Sequence, residues 1–285
     1  MGADVTAGQV VQAYVALHAG RLRASVPLLR QGDDAAVHDA RVATRRLRAA
    51  LSVYRRVLGS TGPLRDELAD LGHVLGAARD PHVELRALRQ LLADEDPALV
   101  VGPIVQRIDE DRSAARLLAL DRLEAWLGSS RIDDLIGRLA LEPQHDDADL
   151  PRLARRAWRR FDRAVEAADG LPAGEARDEA LHEVRKAARQ ARYASEVAVG
   201  VVGDPAGRSA RRARRVQQTL GAQHESVTRR ETLHRLALQA DADGESTFTY
   251  GRLHALAQWA GATAELDAAH RVARASAPGH RHWMR

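Results

Sequence analysis

Two segments of the sequence combine one histidine with a row of arginines at helical spacing. The rows are His38, Arg41, Arg45 and Arg48 in the first segment, and His182, Arg185, Arg189 and Arg192 in the second. Both segments fit the pattern H-[DE]-x-R-x-x-x-R-x-x-R. A guanidinium group stays charged throughout the physiological pH range, and its planar fork matches phosphate or sulfate oxygens with two parallel hydrogen bonds. These residue types therefore predict the binding of an anion.

The spacing places each row on one side of a helix. At about 100° per residue, the four residues of the first row lie within about 80° of one another. Arg55 extends that row, Arg46 points elsewhere, and Lys186 lies beside the second row. A solvated helical face with no ligand is the structural alternative, but such a face normally intersperses acids among its bases. Only one acid lies between His38 and Arg56.

The charge of the whole chain conceals a strong separation of sign. The 285 residues have a net charge of +4. The segments 38–56, 152–163, 182–192 and 208–215 contain 21 basic and 3 acidic residues, so they carry +18 and the remainder carries −14. Such segregation is typical of proteins that bind polyanions. It adds six further candidate binding residues: Arg55, Arg155, Arg159, Arg208, Arg211 and Arg215.

The elements that position these residues are helices, because apolar residues recur at spacings of three and four and aromatic residues make up only 4%. The pattern predicts an all-α protein. The predicted helical segments are 5–30, 35–59, 63–94 with a break near Pro81, 97–128, 131–141, 150–169, 175–200, 204–241 with a break near Gly221, and 246–276.

The two halves of the chain resemble each other. His38 and His182 are 144 residues apart, and Leu75-Gly76 pairs with Leu220-Gly221 at an offset of 145. Two matches in the same order predict an internal duplication. The polar segment 141–151 contains two prolines and separates the halves. We therefore expect an N-terminal helical bundle repeat at 1–142 and a C-terminal one at 150–285.

Several functional classes lose their support. The chain lacks cysteine, so disulfides, thiol catalysis and cysteine-bound metals are excluded. No Walker A, G-x-G-x-x-G, G-x-S-x-G or H-E-x-x-H motif occurs. We expect no catalytic residue, no metal and no cofactor. No signal peptide or apolar stretch long enough for a membrane span is present, so a soluble, cytoplasmic protein is predicted.

The duplicated His/Arg motif, followed in each half by L-G-x-x-x-[DE], resembles the CHAD family, named for a conserved histidine α-helical domain. The resemblance covers residues 5–280 as a single domain. It implies two antiparallel four-helix bundles, an internal duplication related by a pseudo-two-fold axis, with a basic groove or pore between them. It also implies non-enzymatic binding of inorganic polyphosphate, as a granule-targeting module or an adaptor for polyphosphate enzymes. No E-x-E-x-K motif is present, so the chain resembles a stand-alone CHAD protein.

The resemblance assigns binding roles residue by residue. The implied polyphosphate-binding residues are His38, Arg41, Arg45, Arg46, Arg48, His182, Arg185, Lys186, Arg189 and Arg192. In the second half, Gln190 replaces the second member of the Arg45-Arg46 pair, and His224-Glu225 replaces Arg79-Asp80. These departures imply weaker binding by the second half.

Three alternatives stay open at this stage. The histidines either contact the ligand, tune affinity with pH, or have a structural role. A nucleic-acid-associated protein is disfavoured by the scarcity of aromatic residues near the basic segments. A phosphatase or polyphosphate hydrolase that uses His38 or His182 is the enzymatic alternative.

Overall fold

The structure is a computed structural model, and it describes residues 5–128 and 130–285, except for the side chain of Pro278. The described residues form helices and no strand, which confirms the all-α prediction. The α-helices are α1 (Ala7–Arg30), α2 (Asp34–Val53), α3 (Arg55–Leu58), α4 (Gly62–Ala93), α5 (Ile104–Gly128), α6 (Arg131–Arg138), α7 (Leu150–Ala168), α8 (Glu175–Val202), α9 (Asp204–Ala242) and α10 (Phe248–Ser276). One short 3-10 turn, Pro97–Leu99, lies between α4 and α5, and two more, Pro278–His280 and His282–Met284, follow α10.

Short polar side chains set the starts of three helices. The Thr6 hydroxyl accepts a hydrogen bond from the Gln9 amide at 3.2 Å, and the Gln9 side chain accepts one from the Thr6 amide at 3.0 Å. Asp33 accepts from the Ala36 amide at 2.9 Å, and Asp149 accepts from the amide three residues along at 2.8 Å. These caps satisfy backbone donors that have no partner inside a helix, so α1, α2 and α7 begin where their sequences favour it.

Several predicted helix bounds and breaks are wrong. The helix predicted at 97–128 begins only at Ile104, since residues 97–99 form a 3-10 turn and residues 100–103 are not helical. The helix predicted at 35–59 is interrupted at the buried Tyr54 and resumes as α3, and the Tyr54 hydroxyl donates to the Ala194 carbonyl at 2.7 Å. The predicted breaks near Pro81 and Gly221 do not occur, and α4 and α9 continue through both residues. Proline removes one backbone donor and glycine costs about 1 kcal/mol relative to alanine, and packing on neighbouring helices outweighs both.

Helices pack in the same order in each half. In the first half α1 contacts α2, α2 contacts α4, and α4 contacts α5; in the second half α7, α8, α9 and α10 contact one another in sequence. A leucine-rich buried apolar cluster fills the first half and extends to Leu150, Leu153 and Val197 of the second. A second cluster, rich in alanine and containing Trp158 and Phe161, lies within the second half. The order of packing is compatible with two repeats, and the duplication itself stays a prediction.

The halves meet at two places. At the first, α8 contacts α1 and α2. At the second, the adjoining ends of α4 and α5 share an apolar cluster with the adjoining ends of α9 and α10, in which Leu88 and Ile108 lie with Leu233 and Leu253. The first contact brings the two predicted basic helices, α2 and α8, together.

No helix in the described part of the chain combines the length and the apolar character that crossing a bilayer requires.

Candidate functional site

Basic side chains from α2 and α8 line a cavity of about 220 Å³ between the two helices. Arg45 and Arg48 belong to α2, and Lys186 and Arg189 belong to α8. The structure thus brings together one part of each row that the sequence predicted.

Three of the arginines in this cavity lack acidic partners, whereas Arg65, which also lines it, lies 3.2 Å from Asp66. Within the described residues, Arg45, Arg48 and Arg189 form no ion pair. Burial lowers the pKa of Arg189 to about 10, with Arg45, Arg185 and Arg48 lowering it further and Tyr193 opposing them. Burial also lowers the pKa values of Arg45 and Arg185, and the Nε atoms of both are buried without a hydrogen-bond partner. Like charges held together out of water are unfavourable, and an anion would relieve the repulsion.

Basic side chains near this cavity lie close to acidic ones. Arg41 forms a two-point ion pair with Asp80, in which Nη2 lies 3.3 Å from Oδ2. Arg185 is attracted by Glu225, and Asp80 and Glu225 are the 145-residue counterparts that the repeat predicts. Lys186 pairs with Glu183 on its own helix. These side chains keep partial freedom to turn toward a ligand, because Arg41 and Lys186 stay partly solvent-exposed.

Arg46 and Arg192 occupy a separate ion-pair network. Both bind Glu196, with Arg192 Nε 2.8 Å from Oε1, and Arg46 also donates to the Tyr14 hydroxyl at 3.2 Å. The guanidinium carbons lie 5.0 and 5.2 Å from the centre of the Tyr193 ring. Neither residue lines the cavity. Their predicted role in binding is therefore less well supported than that of Arg45 and Arg189, because a carboxylate and an aromatic ring already stabilise their charges.

The histidines of the motif lie outside the arginine cavity. His38 is exposed, and no hydrogen bond or ion pair joins it to any described residue. His182 Nδ1 lies 3.2 Å from Nδ1 of His224, so one ring donates and the other accepts. Burial and then Arg185 lower the pKa of His182, and burial and then His182 lower that of His224 to about 4. The two rings are therefore neutral near pH 7.

The histidine pair opens on a different cavity of about 620 Å³, which His234 and His254 also line. Carboxylates of Asp178 and Glu231 contribute to its walls. No three histidine, aspartate or glutamate side chains in the described ranges are arranged to hold a metal ion.

Further arginines extend the basic surface beyond the arginine cavity. Arg160 of α7 donates to Gln190 at 2.8 Å, and Gln190 lines the cavity and donates to Ser52 at 3.3 Å. The pKa of Arg156 is lowered first by Arg56, so the arginines of α3 lie beside those of α7. Arg55 and Arg159 are exposed and Arg155 is half-buried on this surface.

The predicted candidates Arg208, Arg211 and Arg215 lie elsewhere, on the first turns of α9. All three are exposed, and Arg208 is 3.9 Å from Asp204 on the same helix. None of them lines the cavity between α2 and α8.

Arg65 and Tyr193 are among the cavity residues that were not predicted as part of the site. Arg65 of α4 lies on a wall of the cavity and lowers the pKa of Arg48 after burial. It belongs to no repeated motif, and only the packing of α4 against α2 brings it there. Tyr193 is buried, and it raises the pKa values of Arg45 and Arg189, against the larger effect of burial. Its position one residue after the second row was the only sequence signal.

Comparison with solved structures supports the same architecture. PptA from Streptomyces chartreusis superposes with a TM-score of 0.77 at 21% identity, covering 93% of this chain and 99% of that one. The CHAD domain from the plant Ricinus communis superposes with a TM-score of 0.63 at 22% identity, covering 99% of this chain and 93% of that one. At these identities the likeness concerns the fold alone.

Curated sequences and the family profile agree with the structural comparison. Two uncharacterized proteins of Mycobacterium tuberculosis, from strains CDC 1551 and H37Rv, are each 34% identical over 230 residues, or 77% of this chain. The match spans 44% of the length of each of these relatives. The sequence model of the CHAD domain matches residues 13–234. With its helical architecture, its paired His/Arg helices and this match over most of its length, the chain belongs to the CHAD domain family.

Proposed function

We propose that this protein binds inorganic polyphosphate in the cavity between α2 and α8, in the cytoplasm, without turning it over. The observation that supports the proposal is the cluster of Arg45, Arg48 and Arg189, which lie together without acidic partners. A ligand that supplies several negative charges at regular spacing would neutralise these arginines together. Polyphosphate granules or polyphosphate enzymes are the corresponding assemblies to which such a module would attach.

A linear phosphate chain suits this site better than a compact anion. The cavity continues into the arginine surface of α3 and α7 through Gln190 and Arg160. A flexible chain can follow both, and each phosphate contact releases condensed counterions, so the contacts add up in affinity. The guanidinium forks offer paired hydrogen bonds to successive phosphate groups.

The lining residues favour binding over hydrolysis. No histidine and no carboxylate is among the described residues that line the cavity, and Ser52 supplies its only aliphatic hydroxyl. Hydrolysis of a phosphoanhydride requires a positioned nucleophile or water and groups that transfer protons or bind a metal. Tyr193 is buried beneath the arginines, so it offers no exposed platform on which nucleic-acid bases stack.

The decisive experiment compares ligands of equal charge. Isothermal titration at physiological salt should show tighter binding of long-chain polyphosphate than of single-stranded DNA or RNA with the same number of phosphates. Arg45→Gln combined with Arg189→Gln should weaken polyphosphate binding by about a hundredfold, since two charge-assisted contacts are lost.

The matched control is Arg23→Gln with Arg122→Gln, which lowers the net charge equally at two exposed positions outside the cavity. Equal binding of nucleic acid, or equal weakening by the control, would refute the proposal. Release of phosphate from pure polyphosphate, abolished by His38→Ala or His182→Ala, would establish the enzymatic alternative instead.

A further inference from the structure

A second group of arginines lines another cavity, of about 390 Å³, between α9 and α10. Arg212 and Arg215 come from the first third of α9, and Arg271 and Arg274 come from the end of α10. This cavity shares no lining residue with the one between α2 and α8. Arg271 and Arg274 also lie outside all four basic segments of the sequence.

The four arginines are nearly without counter-charge. Asp267 lies 3.3 Å from Arg271, and this is the one ion pair that the cavity arginines form with described residues. Arg212 and Arg271 are half-buried, whereas Arg215 and Arg274 are exposed. Arg212 also lowers the pKa of the neighbouring His280, after burial, to about 4, so that ring adds no charge near neutral pH. Three positive charges thus converge on one cavity without compensation.

The first half of the chain shows that the fold does not require this charge. The 145-residue offset that aligns Leu75 with Leu220 places Glu67 and Asp70 opposite Arg212 and Arg215. Glu67 accepts a hydrogen bond from Arg138 at 2.9 Å, and Asp70 lies 3.0 Å from Arg131. The corresponding positions on α4 therefore carry carboxylates that form ion pairs with nearby arginines. Those on α9 carry arginines that line a cavity.

We propose that the cavity between α9 and α10 is a second anion site, which binds a short run of linked phosphate groups. Its volume falls in the range of about 300–1,000 Å³ that is usual for ligand sites. The described residues that line it are arginines and Ala277, and none of them is an aromatic residue that could stack on a nucleobase. Linked phosphates fit this lining better than nucleotides do. The site is independent of the proposed polyphosphate cavity between α2 and α8.

The linked phosphate groups bound here belong either to a free short chain or to a segment of a longer chain. Titration with tripolyphosphate tests the first source, and titration with long-chain polyphosphate tests the second. Arg215→Gln with Arg274→Gln removes one arginine from each wall, at exposed positions without ion pairs to described residues. We expect this variant to weaken tripolyphosphate binding by about tenfold or more, because two charge-assisted contacts are lost.

Two further double variants distinguish a failure of this second site from a failure of the proposed polyphosphate site between α2 and α8. Arg45→Gln with Arg189→Gln should still bind tripolyphosphate at the α9–α10 cavity, even if its long-chain binding is lost. Arg23→Gln with Arg122→Gln should behave as wild type in both titrations. A change confined to long-chain binding in the Arg215/Arg274 variant identifies the site as one for a segment of a longer chain. Wild-type binding of both ligands by that variant would overturn the proposal.

Discussion

Arg45 and Arg46 are neighbours in the sequence, yet their side chains meet opposite environments. Arg45 lies with Arg189 in the cavity, where the two like charges repel each other. Arg46 is bound by Glu196 and Tyr14 at the contact between α1, α2 and α8. A buried charge with a carboxylate partner is stabilised by it, whereas a buried charge among like charges is a cost to the folded state. One residue therefore supports folding and the other is available for a ligand.

This difference predicts opposite effects of two matched substitutions. Arg46→Gln should lower the free energy of unfolding by about 2 kcal/mol, because the Glu196 carboxylate loses one of its two arginine partners and keeps only Arg192. Arg189→Gln should raise the free energy of unfolding by about 1 kcal/mol, because it relieves repulsion within the arginine cluster. Urea unfolding of both variants, without ligand, measures the two effects.

Binding measurements complete the comparison. Arg189→Gln should bind polyphosphate less tightly than wild type, and folded Arg46→Gln should bind with nearly unchanged affinity. If Arg189→Gln destabilises the protein as much as Arg46→Gln does, the cavity arginines are structural and the ligand interpretation fails.

The two rows of basic residues are visible in the sequence, but the residues that contact them across the fold are not. The 3.6-residue period places Arg45 and Arg48 on one side of α2, and the cavity contains both. The period says nothing about Glu196, which is 150 residues from Arg46, or about Arg65, which belongs to α4. Partners that are distant in sequence become visible only when helices pack.

At the scale of the elements, helix existence was more predictable than helix ends. The apolar spacing located the long helices, and capping residues such as Asp33 and Asp149 explain where two of them start. The errors came from local rules that packing overrides. The predicted helix is interrupted at Tyr54, whose hydroxyl bonds to Ala194 of α8, and Pro81 fails to end α4.

Pro81 allows a direct test of how α4 tolerates proline. Pro81→Ala restores a backbone N–H in the middle of a 32-residue helix, and alanine is the most favourable helical residue. We expect the free energy of unfolding to rise by about 1 kcal/mol, since the regained hydrogen bond outweighs the added flexibility of the unfolded chain. Chemical unfolding measures this change, and a decrease would show that proline geometry at this point stabilises α4.

At the scale of the whole molecule, the halves hold each other through reciprocal contacts. Arg107 of α5 lies 2.6 Å from Asp243, between α9 and α10, and Arg252 of α10 lies 2.6 Å from Glu95, between α4 and α5. Arg107 and Arg252 are 145 residues apart, the same offset that relates Leu75 to Leu220. The two ion pairs run in opposite directions between the halves, because the arginine belongs to the first half in one pair and to the second half in the other. They also use acids to neutralise arginines, so charge is compensated here and left uncompensated at the two cavities.

The net charge of +4 could not predict this division of roles. Separating the charge by segment identified α2, α7, α8 and the start of α9 as basic. It could not show that the start of α9 belongs to a different cavity from α2 and α8, because that depends on which helix packs beside which. It also missed Arg271 and Arg274, which lie in a segment where Asp267 balances part of the charge.

Buried histidines in both halves predict how the stability of the whole molecule depends on pH. Burial lowers the pKa of His18 to about 4, with Arg46 and Arg21 adding to the effect. Burial likewise lowers the pKa values of His224 and His280 to about 4. In the unfolded chain these rings titrate near their ordinary pKa of about 6.5. The unfolded state therefore binds more protons between these values, and stability is full above about pH 6.5 and falls as the pH approaches 4.

Thermal or urea unfolding between pH 7.5 and pH 5 isolates this effect, because most carboxylates titrate below about pH 4.5. A histidine that is protonated in the unfolded state and neutral in the folded state changes the free energy of unfolding by about 1.4 kcal/mol per pH unit. Solvent near these rings lowers this change to roughly half. His18→Gln removes one titrating ring and should flatten the profile. His270→Gln, at an exposed position, should leave the profile unchanged. A wild-type stability that is constant between pH 7.5 and pH 5 would contradict the assignment of neutral, buried histidines, and equal flattening by both variants would contradict the role given to His18.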